Sequence, residues 1–334
     1  MRPANTPLTN YAILWQTFHE NYPFFALRHM DWRAVDRTFR PRVTVATEPH
    51  ELLRIFQQML EPLQDAHTGV VALDIHQEFE GWRPAPNHLD ESQWKAANEI
   101  IGSKYLGGAS ASFCKGHVQF GSMKNSVGYL RLTAFYGYVD TPSYSDRLQA
   151  LETALDSIFE SAPRWKGLVV DVRRNKGGDD ALGLSVAARL TTSRYLAYRK
   201  AARRSDEGRL RFTPSQEVWV EASSRPGFHG RVALLTGADT VSAGETFTMA
   251  LMGREPRVVR VGLNTQGVFS DVLNRTLPNG WRFRLPNEVY YTRDKESFDG
   301  AGVPPDISIP FFSPEDIQSG RDAAIDKAIQ LLTD

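Results

Sequence analysis

The segment Leu235-Thr-Gly-Ala-Asp-Thr240-Val-Ser242-Ala243-Gly244-Glu245 reads as a strand, a short loop and the start of an apolar helix, with a serine at the helix N-terminus. Backbone N–H groups and the helix dipole favour negative charge there, which suits a serine nucleophile. The same residues satisfy a plainer pattern, because Ser242 with Glu245 three positions on is also a capping box. A second cluster, Asp171-Val-Arg173-Arg174-Asn175-Lys176-Gly177-Gly178-Asp179, follows the apolar run Gly167-Leu-Val-Val. Paired glycines after a strand allow close backbone approach and leave N–H groups to hold an anion or a developing oxyanion. A tight strand-to-helix turn is the alternative. The cluster is neither GxGxxG nor a GK[ST] phosphate loop, so it does not indicate nucleotide binding. The third cluster is Asp65-Ala-His67-Thr68-Gly69. Its imidazole can take a serine proton, or else sit at a helix end against the last carbonyls with Gly69 as the cap. The other seven histidines lie in no such context and no HExxH pair occurs, so no metal site and no cofactor are expected.

Composition narrows the classes that such clusters can serve. Lys plus Arg equals Asp plus Glu at 39 each, so no whole-chain field favours a polyanion and nucleic acid is not an expected partner. Cys114 is the single cysteine, which excludes an internal disulfide and a cysteine-ligated zinc or iron–sulfur centre. No apolar run of about 18 residues could span a bilayer. The start, Met1 to Asn10, lacks the basic then apolar pattern of a signal peptide. A soluble, cytoplasmic protein is expected from the chain as written, or an exported one if a leader has been removed. Oligomeric state is not readable.

The elements that must position these clusters follow from periodicity. Tyr11, Leu14, Trp15, Phe18 and Tyr22 recur on one helical face that Pro23 closes, and Leu52, Phe56, Met59, Leu60 and Leu63 mark a second helix over 51–63. Residues 1–69 are therefore expected to form an N-terminal helical subdomain. Residues 70–123 read weakly, with a Pro- and Trp-containing stretch at Gly81 to His88, a short helix near 91–101 and small-residue punctuation at 107–112. This is expected to be a connecting subdomain. From 124 to 334 strands and helices alternate: strands at 127–132, 167–172, 194–198, 217–221, 231–235, 257–261 and 281–291, helices at 143–161, 181–190 and 320–332. Such alternation is the signature of an α/β layer, whose ligand sites gather at strand ends.

The clusters also match one family in order and spacing. The sequence resembles the tail-specific, or C-terminal processing, serine peptidases and their relatives, the tricorn-type core and the interphotoreceptor retinoid-binding proteins. Leu63-Gln-Asp65-Ala-His67-Thr68 is similar to the family's L-x-D-x-H-T, and Val127-Gly-Tyr-Leu-Arg-Leu to its first core strand. Leu168 to Gly178 resembles D-L-R-x-N-x-G-G, and Thr240-Val-Ser242-Ala243-Gly-Glu245 the nucleophile block. Gly262-Leu-Asn-Thr265-Gln-Gly267 matches G-x-x-T-x-G, and Phe298-Asp299-Gly-Ala-Gly302-Val-Pro-Pro305-Asp306 the closing E-G-x-G-x-x-P-D. The resemblance implies a ClpP/crotonase-like α/β core with a mixed sheet behind a helical N-terminal segment. It implies no PDZ module here, because 70–123 is too short and lacks a carboxylate-binding glycine loop.

Departures from the family decide the expected mechanism. The processing branch places a lysine base directly after T-x-G, and here that position is Val268, with no lysine between Lys200 and Lys295. The resemblance then falls to the tricorn-type branch, in which histidine serves the serine: acyl transfer to Ser242 with His67 as base, Asp299 or else Glu296 as the carboxylate, and Thr68 as relay or cap. Gly178 or Gly177, with Ala243, would form the oxyanion hole. Arg173 and Asn175, with Arg174 and Lys176 nearby, would meet substrate, or else form a solvated basic turn. The expected substrate is a short peptide or a small acyl compound. Two alternatives stand: a non-proteolytic binder of apolar ligands, and a serine acylhydrolase or peptide cyclase.

Overall fold

The computed structural model describes residues 3–85, 87–206 and 209–334. Residues 1–2, within the Met1 to Asn10 start, and residue 86, within the Gly81 to His88 stretch, lie outside the described residues. The chain divides into two compact units. One combines Met1–Pro84, Lys200–Gln216 and Val268–Tyr290; the other combines Ala85–Arg199, Glu217–Gly267 and Tyr291–Asp334.

In the first unit, helix Pro7–Asn21 starts at Thr6, whose side chain accepts from the Thr9 N–H at 3.2 Å, and has proline in its first turn. The stripe Tyr11, Leu14 and Phe18 is buried, as its spacing predicts. Helix Pro49–Leu60 buries Leu52, Phe56, Met59 and Leu60 in the same way and passes into a short 3₁₀ turn, Glu61–Leu63. The helix Trp32–Phe39, capped by Asp31, was not anticipated. The unit also holds a four-stranded antiparallel sheet, in the spatial order Val272–Thr276, Arg282–Pro286, Gly69–Ala72, Gln77–Glu80. Gly69 pairs with Arg284, and the Phe18 ring lies 6.3 Å from that of Phe283, so the helices pack on strands donated from far along the chain. The run expected as one strand over 281–291 is two, Arg282–Pro286 and Glu288–Tyr291.

The second unit is the expected mixed α/β architecture. Its seven-stranded sheet runs, in space, Ile307–Ser308, Val259–Gly262, Arg231–Thr236, Gly167–Asp171, Val127–Leu132, Val118–Met123, Ser110–Phe113. The first five are mutually parallel, and Val118–Met123 runs antiparallel to both of its neighbours. Val127–Leu132 and Gly167–Asp171 are buried at every residue, which is why, apart from Arg131 and Asp171, their sequences carry no polar alternation. The core joins Val169, Ala233, Leu235 and Val261 to Ala324, Ile325, Ala328 and Leu332 of the C-terminal helix Ala323–Thr333. Among the described residues no helix is long and apolar enough to cross a membrane.

Candidate active site

Ser242 lies just past the C-terminal end of strand Arg231–Thr236, as the residue before helix Ala243–Met252. Its backbone sits at φ +54°, ψ −119°. A non-glycine residue there costs of order 1–3 kcal/mol and persists only where its surroundings hold it. Glu245, wholly buried, does much of that holding. Its Oε2 accepts the Ser242 N–H at 3.2 Å, while Oε1 accepts the Thr265 hydroxyl and the Gly267 N–H, each at 2.6 Å. Thr265 Oγ1 in turn accepts the Val303 N–H at 2.7 Å. The glutamate read as half of a capping box thus also ties the serine loop to the Thr265–Gly267 segment.

The glycine turn lies against the same loop. Gly177 and Gly178 adopt φ +80° and +129°, and a Cβ on Gly177 would stand 2.7 Å from Ser242 Cβ and 3.3 Å from Ala243 N. Only glycine permits that approach. Asn175, fully buried, shapes the turn: its Oδ1 accepts the Gly177 N–H at 2.9 Å and its Nδ2 donates to the Leu132 carbonyl at 3.0 Å. Asn175 is therefore a scaffold for the turn, out of reach of solvent. The Gly177 N–H is spent on it, so the oxyanion assignment narrows to Gly178. Phe135 N–H donates to the Gly177 carbonyl at 2.7 Å and the Asp179 N–H to the Phe135 carbonyl at 3.0 Å, bracketing Gly178. Among the described residues the Gly178 N–H has no backbone acceptor, and Ala243, as first residue of its helix, has an N–H that the helix leaves unpaired.

Arg173 departs from expectation. It is 0% exposed, donates to Asp171 through Nε at 3.0 Å and Nη2 at 2.6 Å, and meets Asp322 at 2.7 Å through Nη1. Burial pushes the Asp171 carboxyl up, and the Arg173 guanidinium overcomes that, leaving it below the usual range. Asp322 also caps helix Ala323–Thr333. Arg173 thus anchors the glycine turn to the C-terminal helix and offers a substrate nothing; a buried arginine beside two motif residues reads in sequence like an exposed basic turn.

In the first unit, His67 is half-buried in the turn between Glu61–Leu63 and strand Gly69–Ala72, not at a helix end. Its Nδ1 is 3.1 Å from the Phe269 carbonyl oxygen. A carbonyl only accepts, so Nδ1 carries the hydrogen and Nε2 keeps its lone pair. Burial pushes the imidazole below the ordinary histidine value, so the ring is neutral at pH 7. Asp65, also buried, holds the turn: its Oδ1 accepts the His67 N–H at 3.0 Å and its Oδ2 the Tyr22 hydroxyl at 2.9 Å. Thr68 Oγ1 donates to the Asp65 carbonyl at 2.8 Å, which is a capping bond. Neither Tyr22 nor the Phe269 carbonyl was anticipated; a backbone acceptor leaves no signature in residue type. Val268 is 3% exposed. Of the two candidate carboxylates, both in the second unit, Asp299 is buried and accepts the Ser297 hydroxyl at 3.1 Å, whereas Glu296 is exposed.

The sequence profile of peptidase family S41 matches residues 126–309, and that of the tricorn protease C1 domain matches residues 3–61. The chain belongs to peptidase family S41. Among solved structures it is similar to a peptidase candidate from Parabacteroides merdae ATCC 43184, at 25% identity and TM-score 0.79, over 99% of this chain and 98% of that one. It shares a fold with mature CPAF, at 11% identity and TM-score 0.70 over 98% and 96% of the two chains. It also shares one with the photosystem II D1 C-terminal processing protease, at 14% identity and TM-score 0.56 over 99% and 98%. No curated protein sequence matches the chain.

Proposed function

We propose that the protein is a serine peptidase in which Ser242 is the nucleophile and His67 the base. The observation that carries the reading is the strained, half-buried Ser242 flanked by two unspent amide donors, Gly178 and Ala243. Membership of peptidase family S41 supports peptide-bond hydrolysis as the reaction. Ser242 Oγ attacks the scissile carbonyl as its proton passes to His67 Nε2. The carbonyl oxygen becomes an anion held by the Gly178 and Ala243 N–H groups, each such donor commonly contributing about 3 kcal/mol. The C–N bond then breaks and the imidazolium gives its proton to the departing amine. Water, deprotonated by the same nitrogen, releases the acyl group and restores the serine.

In this reading the Phe269 carbonyl fixes the tautomer by accepting the Nδ1 hydrogen, and Asp299 is assigned as the buried carboxylate whose charge supports the imidazolium without bonding the ring. Thr68 is assigned to holding the His67 turn. The test is Ser242→Ala, with peptide turnover and fluorophosphonate labelling as readouts. Wild-type protein labels at Ser242, and the variant neither labels nor cleaves peptides while unfolding at the wild-type midpoint. Full turnover by the variant overturns the scheme; a wild-type serine inert to the probe, together with tight apolar ligand binding, supports a binder instead.

A further inference from the structure

The second unit holds a cavity of about 290 Å³ that the reaction above does not use. Its lining combines Arg131, Arg174 and Lys176 with the neutral polar groups of Asn98, Gln119 and Thr133, and no acid among the described residues lines it. Arg131 carries the most weight. It is 7% exposed, donates to the neutral Asn98 Oδ1 at 2.6 Å, and lies over the Trp94 ring at 5.9 Å. The buried acid nearby, Asp171, is already engaged by Arg173 and by the Tyr129 hydroxyl at 2.8 Å. Asp171 reaches Arg131 through its field alone, and a guanidinium taken from water without a hydrogen-bonded carboxylate favours an anionic ligand.

The other two cations are held loosely. Arg174 rests over Trp94 at 5.5 Å and pairs with Glu91, which is 85% exposed, a kind of pair worth little and easily exchanged. Lys176 Nζ is 3.2 Å from Asp239 Oδ1, an oxygen it shares with His88 Nδ1, while Asp239 Oδ2 accepts the Trp94 indole. One buried carboxylate is thereby divided among three donors. Lys176 also immediately precedes Gly177, so the cavity begins roughly 3.8 Å of backbone from the oxyanion turn.

Resting on the serine-hydrolase reading, we propose that this cavity is a carboxylate-binding subsite, and that preferred substrates carry a carboxylate within a residue or two of the scissile bond. The carboxylate can be a peptide's own C-terminus or an Asp or Glu side chain, drawn in by Arg174 and Lys176 at the partly exposed side of the cavity and met by the planar fork of Arg131, so that removing the first two cations removes most of the preference.

The test measures binding by calorimetry to full-length Ser242→Ala protein, so that it does not depend on turnover. Three N-acetylated tetrapeptides serve as probes: an all-alanine free acid, its C-terminal amide, and the amide with one alanine replaced by glutamate. At least one carboxylate peptide is expected to bind ten-fold or more tightly than the neutral amide. That advantage falls below three-fold when Arg174→Gln and Lys176→Gln, both at partly exposed positions, are added. A free-acid preference identifies the C-terminus as the source, and a glutamate preference the side chain. Equal binding of all three peptides, or an advantage that survives both substitutions, overturns the subsite. Fluorophosphonate labelling of the wild type separates the two readings: a labelled serine without carboxylate preference sinks only the subsite, and an unlabelled serine with that preference sinks only the hydrolase.

Discussion

Replacing Glu245 with glutamine tests whether the strained serine is held by one buried carboxyl group. Both carboxyl oxygens act as acceptors, Oε2 for the Ser242 N–H and Oε1 for the Thr265 hydroxyl and the Gly267 N–H. Glutamine has the same shape but only one acceptor oxygen. With that oxygen in the Oε1 place, its amide nitrogen faces the Ser242 N–H, donor against donor; turned over, it loses the other two bonds. The cheaper orientation forfeits one hydrogen bond to a charged group, about 1.5–3 kcal/mol. That is comparable with the 1–3 kcal/mol that a positive-φ serine costs. The lost bond therefore removes much of what keeps Ser242 in place. We expect Glu245→Gln to unfold at lower denaturant by an amount equivalent to about 2–3 kcal/mol, and its serine to label with fluorophosphonate at least ten-fold more slowly. A variant within 0.5 kcal/mol of wild type, labelling at a rate within two-fold, would refute the argument.

In the proposed mechanism the pH dependence follows from the neutral, half-buried imidazole. His67 acts as base only when unprotonated, and burial lowers its pKa, so kcat/KM on an uncharged peptide should rise through a value below about 6.5 and be flat from about 7; an ascending limb centred at or above 7 would contradict it. The unfolded chain binds this proton more readily than the folded one, so the same group's contribution to stability is present above about 6.5 and is lost as pH falls toward the folded value. Gly177→Ala would place a methyl group 2.7 Å from Ser242 Cβ at φ +80°, and peptide turnover should fall by at least 100-fold with little change in far-UV circular dichroism. Turnover within three-fold of wild type would show that the turn is not tight against the nucleophile.

The parallel half of the fold was legible because buried parallel strands announce themselves as apolar runs: Val127–Leu132 and Arg231–Thr236 fall where the sequence places them, to within a residue. The four-stranded antiparallel sheet was not. Gly69–Ala72 and Gln77–Glu80 are four residues each, and their partner Arg282–Pro286 lies some two hundred positions away, so no local period marks them. Among the candidate residues, Ser242, the glycine pair and His67 stand out by residue type. What residue type did not distinguish was which polar groups face substrate and which face the core. Arg173 and Asn175 sit in the same short turn as Gly178, yet both are fully buried, one in an ion pair and one in backbone hydrogen bonds. Arg174 and Lys176, alternating with them, remain partly exposed. The turn thus sends its odd-numbered polar side chains inward to build the scaffold and its even-numbered ones toward the carboxylate cavity.

The loss of lysine after Thr265-Gln-Gly267 bears on how strong a base the reaction can have. An imidazole whose Nδ1–H meets a carboxylate is made more basic, because the imidazolium gains a counter-charge. Here the Nδ1 partner is the Phe269 carbonyl, a neutral dipole, and the carboxylate nearest in sequence, Asp65, bonds the His67 backbone N–H. The field of Asp65 supports the charged ring through space, yet burial outweighs it and the pKa ends below the ordinary value. A weaker base removes the serine proton less readily but surrenders it to a departing amine more readily. In the proposed reaction the balance favours the second half of acylation, the step that peptides make difficult, and places more of the burden of activating Ser242 on the oxyanion donors and on the geometry that Glu245 enforces.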